Sequence, residues 1–204
     1  MPPPSSELIT RARAFRASGA AAPEARLSAT VVLLRDATGG LEVFMLRRLT
    51  TMAFGAGAHV FPGGVVDAID QAADEANALA NAAVRETAEE TGVLLHVESL
   101  RPWSRWITPT FEPRRYDTLF YVALAPPDQI ARHGEAEADA GEWISPRDAL
   151  HRRGWLLMPP TEATLTQLTQ YTSASDVLAV VDRDLEPLLF DIDLDVEPPR
   201  WVRV

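Results

Sequence analysis

The string Arg85-Glu86-Thr87-Ala88-Glu89-Glu90-Thr91-Gly92 holds three carboxylates within about one and a half helical turns. At 100° per residue, Glu86, Glu89 and Glu90 fall on one side of a helix. Val84, Ala88 and Thr91 fall on the other, which suits packing on a sheet. Like charges at this spacing repel by a few tenths of a kcal/mol per pair. A solvated acidic face tolerates that repulsion, and a bound cation removes it. Carboxylate oxygens are preferred by Mg²⁺ and Mn²⁺, and three of them without thiolate or imidazole suit a hard cation better than zinc. Arg85 precedes Glu89 by four residues, so its guanidinium can hold one carboxylate in place. The upstream Pro62-Gly63-Gly64 offers bare backbone carbonyls and amides to the same face.

The acidic string lies in the clearest helix of the chain, residues 72–91, which is alanine-rich, free of Gly and Pro, and stopped by Gly92. Ala29–Arg35 and Leu41–Leu46 read as two strands of a hairpin around Asp36–Gly40. A Gly/Ala-rich loop, 53–57, follows, and Pro62-Gly63-Gly64 reads as a turn. Val93–Val97, Leu119–Ala125 and Trp143-Ile144 read as strands. Ser145 opens a short helix, and Thr161–Thr172 fits another with Thr161 at its cap. Residues 1–28 read as a docked helix and an Ala/Pro linker. They carry arginines, as a transit peptide or membrane-surface helix does, but lack the apolar stretch of a secretory signal. The expected organisation is an N-terminal extension (1–28), one main domain (29–183) and a tail packed on it (184–204).

Composition narrows the function classes. The 204 residues contain no cysteine, which excludes disulfide scaffolds, zinc–thiolate and iron–sulfur sites and cysteine nucleophiles. The net charge of −10 argues against sequence-independent binding to nucleic acid or an anionic membrane. No apolar stretch approaches the roughly 20 residues that span a bilayer. The expected location is cytoplasmic.

Gly64 followed by Arg85-Glu86-Thr87-Ala88-Glu89-Glu90-Thr91-Gly92-Val93 resembles the Nudix box, G-x5-E-x7-R-E-U-x-E-E-x-G-U. Thr87 stands where that pattern has an apolar residue, and Gly64 to Arg85 is seven residues longer than the pattern allows. An insertion there resembles the branch that includes the peroxisomal coenzyme A diphosphatases. So do Ala58–Asp67, Thr108-Pro109 with Pro113–Thr118, and Pro159-Pro160-Thr161. The resemblance runs from about Ala29 to Leu168.

It implies an α/β fold, a Nudix α/β/α sandwich with a mixed central sheet between helices. It also implies Mg²⁺- or Mn²⁺-dependent hydrolysis of a diphosphate joining a nucleoside to another group. Glu86, Glu89 and Glu90 would be metal ligands, with Glu89 also serving catalysis, and the Gly63 carbonyl a further ligand. Arg85 would orient a glutamate, and Gly64 would border the substrate. Asp70 stands at the box spacing from Gly64, while Asp74 and Glu75 stand nearer the helix. For the base that activates water, the resemblance points to the acids before Trp143: Glu137 first, then Glu135, with Asp70 and Glu75 as alternatives. Asp139 and Glu142 belong to the same acidic run.

The substrate is less sharply marked. Arg48 and Gly57 fall in register with a motif of bacterial coenzyme A hydrolases, but Ala53 stands where its second arginine belongs and Leu49 replaces its serine. Arg114 and Arg115 are candidates to bind substrate phosphate in compensation, or else to anchor their strand through Asp117. His59 reads as a residue making one backbone hydrogen bond. Trp103, Trp106, Phe111 and Tyr116 read as either an adenine platform or lids on the core. Coenzyme A or an acyl-coenzyme A leads. ADP-ribose, NADH or another dinucleotide follows, and a nucleotide-binding module that does not cleave is the rival class. The partner would be a small-molecule nucleotide, and family members are often homodimers.

Overall fold

The computed structural model describes residues 3–51, 55–134, 137–180 and 185–204. Ala53 and Glu135 lie outside the described residues.

Helix α1 (Ser6–Ser18) is capped by the Ser5 hydroxyl, which accepts from the Leu8 amide, and ends at Gly19. Strand β1 (Ala25–Ala37) begins four residues before the expected Ala29, and β2 (Gly40–Arg48) closes the expected hairpin with it. Next come β3 (Ala58–Val60) and β4 (Gly63–Val65). Gly63-Gly64 is therefore strand, not turn. The short β4 pairs with β1 at Ser28–Thr30, and a Cβ on Gly63 would lie 2.3 Å from the Ala29 carbonyl oxygen, so only glycine lets the two backbones approach this closely.

A 3₁₀ turn at Ala68–Asp70 leads to α2 (Glu75–Thr91), which starts at Glu75 rather than at 72 because the Asp74 side chain caps it. Its buried face is Ala78, Leu79, Ala82, Ala83, Thr87 and Thr91, while Val84 and Ala88 are only half-buried. Thr87 and Thr91 enter the core because their hydroxyls donate to the Ala83 and Thr87 carbonyls. The expected strand at Val93–Val97 is absent: the chain runs irregularly into a 3₁₀ turn at Val97–Ser99. The strand is instead β5 (Arg101–Ile107), hidden in the sequence by Pro102, which sits beside a bulge in the pairing with β6 (Arg115–Leu124).

Strand β7 (Ala138–Ile144) extends the expected Trp143-Ile144 pair back into the acidic run. It is followed by α3 (Pro146–His151), β8 (Leu156–Leu157) and α4 (Pro159–Leu168). Met158, not Thr161, precedes α4, because the prolines occupy first-turn positions that need no amide donor. Helix α4 stops at Leu168, short of Thr172, and α5 (Ala174–Leu178) follows. The tail forms a hairpin of β9 (Leu188–Asp193) and β10 (Arg200–Arg203).

The strands run β10-β9-β5-β6-β1-β2-β3-β8, with β4 on β1 and β7 on β2. The sheet is mixed: β1 runs parallel to β6 and antiparallel to β2 and β4. Alternation along the strands splits the core. Val31, Leu33, Phe44 and Leu46 pack toward α2, whereas Val32, Leu34, Val43 and Met45 pack toward α3, α4 and α5. The expected mixed sheet between helices is thus present. Burial of one side chain such as Leu79 contributes about 1.5–3 kcal/mol, so this two-sided core holds α2 firmly. Helix α1 docks on the β9–β10 hairpin through Leu8, Ala12, Phe15, Ile192 and Trp201. Among the described residues, no helix is long and apolar enough to cross a membrane.

Candidate active site

Arg85 organises the site. Its Nε donates to Asp70 Oδ1 (2.9 Å), and its Nη2 to Asp70 Oδ2 (2.7 Å) and the Val65 carbonyl (3.1 Å). Its Nη1 lies 2.9 Å from Glu86 Oε1 and 3.1 Å from Glu89 Oε2. Asp70 is 2% exposed, and its Oδ2 also accepts from the Asp67 amide. The Arg85 guanidinium, with burial opposing, holds the Asp70 carboxyl below its ordinary range. Asp70 therefore anchors Arg85, and its two oxygens are turned away from any water-activating task. The seven additional residues fall between Asp70 and Arg85, where they extend the N-terminal side of α2.

Two glycines make room for the carboxylates. A Cβ on Gly64 would stand 2.3–2.7 Å from the Glu86 carboxylate atoms. The Gly63 amide donates to Glu90 Oε2 at 2.9 Å. Thr30 and Gly63 are a non-hydrogen-bonded pair, flanked by the Val31 amide bonding the Pro62 carbonyl, so the Gly63 carbonyl also turns away from β1. Burial pushes the Glu90 carboxyl up to about 7, the Gly63 hydrogen bond opposing and the Glu86 and Glu137 charges adding to the rise. Burial also raises Glu86, against the pull of Arg85, while Glu89 is largely exposed.

A cavity of about 120 Å³ is lined by Glu86, Glu89, Glu90, Gly134, Glu137 and Ala138. Glu137 enters it from the segment before β7, with its Oε2 3.7 Å from Arg48 Nη2. The Arg48 Nε is buried and has no hydrogen-bond partner among the described residues. Asp139 and Glu142 do not reach the cavity: they pair with Arg47 (2.6 Å) and Arg152 (3.4 Å). Glu75 pairs with Arg105 (3.0 Å) and does not line the cavity. Glu135 lies outside the described residues.

The structure turns Arg115 away from the site. It donates to the Thr108 (3.1 Å) and Pro23 (2.7 Å) carbonyls and so fastens a loop, and Arg114 is exposed. Neither line the cavity, and neither anchors its strand through Asp117, which is held twice at 2.7 Å by Arg105. Trp103 and Phe111 are core residues, and Trp106 stacks on Phe190, so these three are lids on the core. His59 stacks on Trp155 with ring centroids 3.9 Å apart. Its Nδ1 has no partner among the described residues, and burial lowers its pKa.

The donor set fits a hard divalent cation: four carboxylates line one small cavity, and Gly63, whose amide holds Glu90, carries a carbonyl turned away from β1. Among the described residues, no three acidic or imidazole side chains are already arranged as a metal-binding group. Arg85 instead ties Glu86 and Glu89 together, so ligation requires these flexible side chains to turn toward Glu90. Gly134, which lines the cavity, was not singled out in the sequence. Its only signal there is a glycine directly before the acidic run.

The sequence model of the NUDIX domain family matches residues 25–165. A Caenorhabditis elegans protein named "Putative nudix hydrolase 7" is 30% identical over 71% of this chain, and the chain spans 61% of that relative's length. A NUDIX hydrolase from Alicyclobacillus acidocaldarius superposes with a TM-score of 0.71 at 28% identity, covering 78% of this chain and 98% of that one. The NUDIX domain of Shewanella oneidensis NrtR, solved with ADP ribose, shares the fold at a TM-score of 0.57 and 21% identity, covering 72% of this chain and 88% of that one. With the box residues gathered around one cavity and the family's sequence model spanning most of the chain, this protein belongs to the Nudix family.

Proposed function

We propose that this chain hydrolyses the diphosphate bond of a nucleoside diphosphate conjugate with Mg²⁺ or Mn²⁺, and that coenzyme A or an acyl-coenzyme A is the leading substrate. The observation that carries this reading is the convergence of Glu86, Glu89, Glu90 and Glu137 on one cavity beside Gly63 and Gly64. Four carboxylates facing one another are costly unless cations join them. Bound divalent ions would supply charge neutralisation for the phosphate oxygens and a more acidic water.

The chain's own residues do the rest. Glu86, Glu89, Glu90 and the Gly63 carbonyl hold the cations. Arg85, fixed by Asp70, keeps Glu86 and Glu89 within reach of the cavity. Glu137, half-exposed at the cavity rim, accepts the proton of the attacking water. Arg48, partly buried beside Glu137, offers its guanidinium to a substrate phosphate. Phosphoryl transfer depends on positioning and charge neutralisation more than on covalent help, which suits such a set.

The test is product analysis with Mg²⁺ or Mn²⁺ over coenzyme A, acyl-coenzyme A, ADP-ribose, NADH and diadenosine polyphosphates. Cleavage of coenzyme A at its diphosphate, with the highest kcat/KM of the panel, is expected. A higher kcat/KM on ADP-ribose or a dinucleotide reassigns the substrate. Tight binding of a panel member with no cleavage makes the protein a binding module. The same proposal includes a homodimer, which light scattering on the eluting protein decides.

A further inference from the structure

Arg132 and Gly134, shortly before Glu137 in the chain, lie against the C-terminal turn of α2. The Arg132 amide donates to the Thr91 carbonyl (3.0 Å), and the Gly134 amide to the Glu90 carbonyl (2.8 Å). These bonds satisfy carbonyls that a helix end leaves without intrahelical donors. Upstream, the Gln129 side chain meets both the amide (2.7 Å) and the carbonyl (3.2 Å) of Leu94. Downstream, the Glu137 carbonyl accepts from the Leu49 amide at 2.9 Å. The Glu137 backbone is therefore fastened to β2's end on one side and, three residues earlier, to the helix that carries the acidic box.

At Gly134 the backbones come close. A Cβ there would stand 3.1 Å from the Glu89 carbonyl oxygen, 3.5 Å from that of Glu90 and 3.7 Å from the Glu90 Cα. All three atoms are helix backbone. Leu79, Ala82 and Ala83 hold α2 on the sheet, so the helix does not yield and the segment must lift.

We propose that Gly134 is a positioning residue: its bare backbone seats the segment on the last turn of α2, and that seat sets where the Glu137 carboxylate stands over Glu86 and Glu90. The inference rests on the reading of Glu137 as the base. A base displaced by about 1 Å loses on the order of a hundredfold in rate, so a small lift is enough to register.

The experiment is a double-mutant cycle at saturating metal, with Gly134→Ala and Gly134→Val each made alone and with Glu137→Gln, and with melting temperatures recorded. Gly134→Val should lower kcat by about tenfold or more with KM within about twofold, and Gly134→Ala by about threefold. In the Glu137→Gln background, Gly134→Val should change kcat by less than about twofold, because the group it positions is gone. A loss that multiplies fully with that of Glu137→Gln would overturn the inference. So would wild-type kcat in Gly134→Val while Glu137→Gln is impaired. Wild-type kcat in Glu137→Gln removes the base itself, and the role of Gly134 with it. Should Gly134→Val not fold, the cycle with Gly134→Ala decides by the same criterion.

Discussion

The Glu86 carboxylate occupies the space that a Cβ on Gly64 would fill, at 2.3–2.7 Å from its position. The adjacent Gly63 is hemmed in differently, by the Ala29 carbonyl oxygen at 2.3 Å and the Thr30 Cα at 2.7 Å. One neighbour is the end of a flexible side chain and the other is backbone. The two glycines therefore predict opposite phenotypes. Gly64→Ala should leave the melting temperature nearly unchanged and lower kcat by about a hundredfold, since the new methyl group displaces the Glu86 carboxylate from the space in which it must meet a cation. Gly63→Ala should unfold at clearly lower temperature, because two strands must separate. Thermal melts and kinetics on both variants check the contrast.

Asp70→Asn tests the anchor of Arg85. The substitution removes a charge-assisted bidentate partner from a nearly dry site, which costs about 1.5–3 kcal/mol of stability. Arg85 keeps the Val65 carbonyl, Glu86 and Glu89, so kcat should fall by less than about tenfold. Denaturant unfolding and kinetics together check this. A loss as large as that of Glu137→Gln would mean that Asp70 carries the chemistry.

Glu90 makes the metal-free protein pH-sensitive. Its folded-state pKa of about 7 exceeds the ordinary 4.5, so between those values the folded state binds more protons than the unfolded one. Stability from this group is full below about 4.5 and is lost as pH rises through 7. In EDTA the melting temperature should therefore fall from pH 5 to 7.5, and Glu90→Gln should flatten that slope. Mg²⁺ or Mn²⁺ should stabilise more strongly as pH rises, because cation and proton compete for one carboxylate.

The proposed roles of Arg48 on substrate and Arg115 in structure should separate in kinetics and stability. Arg48→Ala should raise KM for coenzyme A more than for its 3′-dephospho form, by about tenfold if a charge-assisted contact is lost. Arg115→Ala should leave that ratio unchanged and lower the melting temperature, since it releases the Pro23 and Thr108 carbonyls. Steady-state kinetics on the two substrates check both.

The helix that carries the box and the hairpin before it were legible because each follows one rule: alanine with a glycine stop, and alternation around a turn. Glu86, Glu89 and Glu90 were candidates by type and spacing and Glu137 by resemblance, and the fold brings all four to one cavity. Asp70 was legible only as a position, because its partner, fifteen residues away, is reached through a 3₁₀ turn that no local pattern announces. Strand β5 was hidden by Pro102 and two arginines, one of which, Arg105, points inward because Asp117 and Glu75 meet it there. Arg115 was legible only as a phosphate candidate or a strand anchor through Asp117, because only the loop's return path reveals the Thr108 and Pro23 carbonyls it holds. Gly134 was invisible since its neighbour is helix backbone more than forty residues earlier in the chain.

The central claim is that the gathered carboxylates act through divalent cations on a diphosphate. The most direct measurement is the turnover of the wild-type protein on the best substrate of the panel, with saturating Mg²⁺ or Mn²⁺ and again in excess EDTA. The account predicts that EDTA reduces turnover to background, that returning the cation restores it, and that Glu89→Gln and Glu90→Gln each remain at least about a hundredfold slower at saturating cation, roughly 3 kcal/mol in barrier terms. Undiminished turnover in excess EDTA would contradict it.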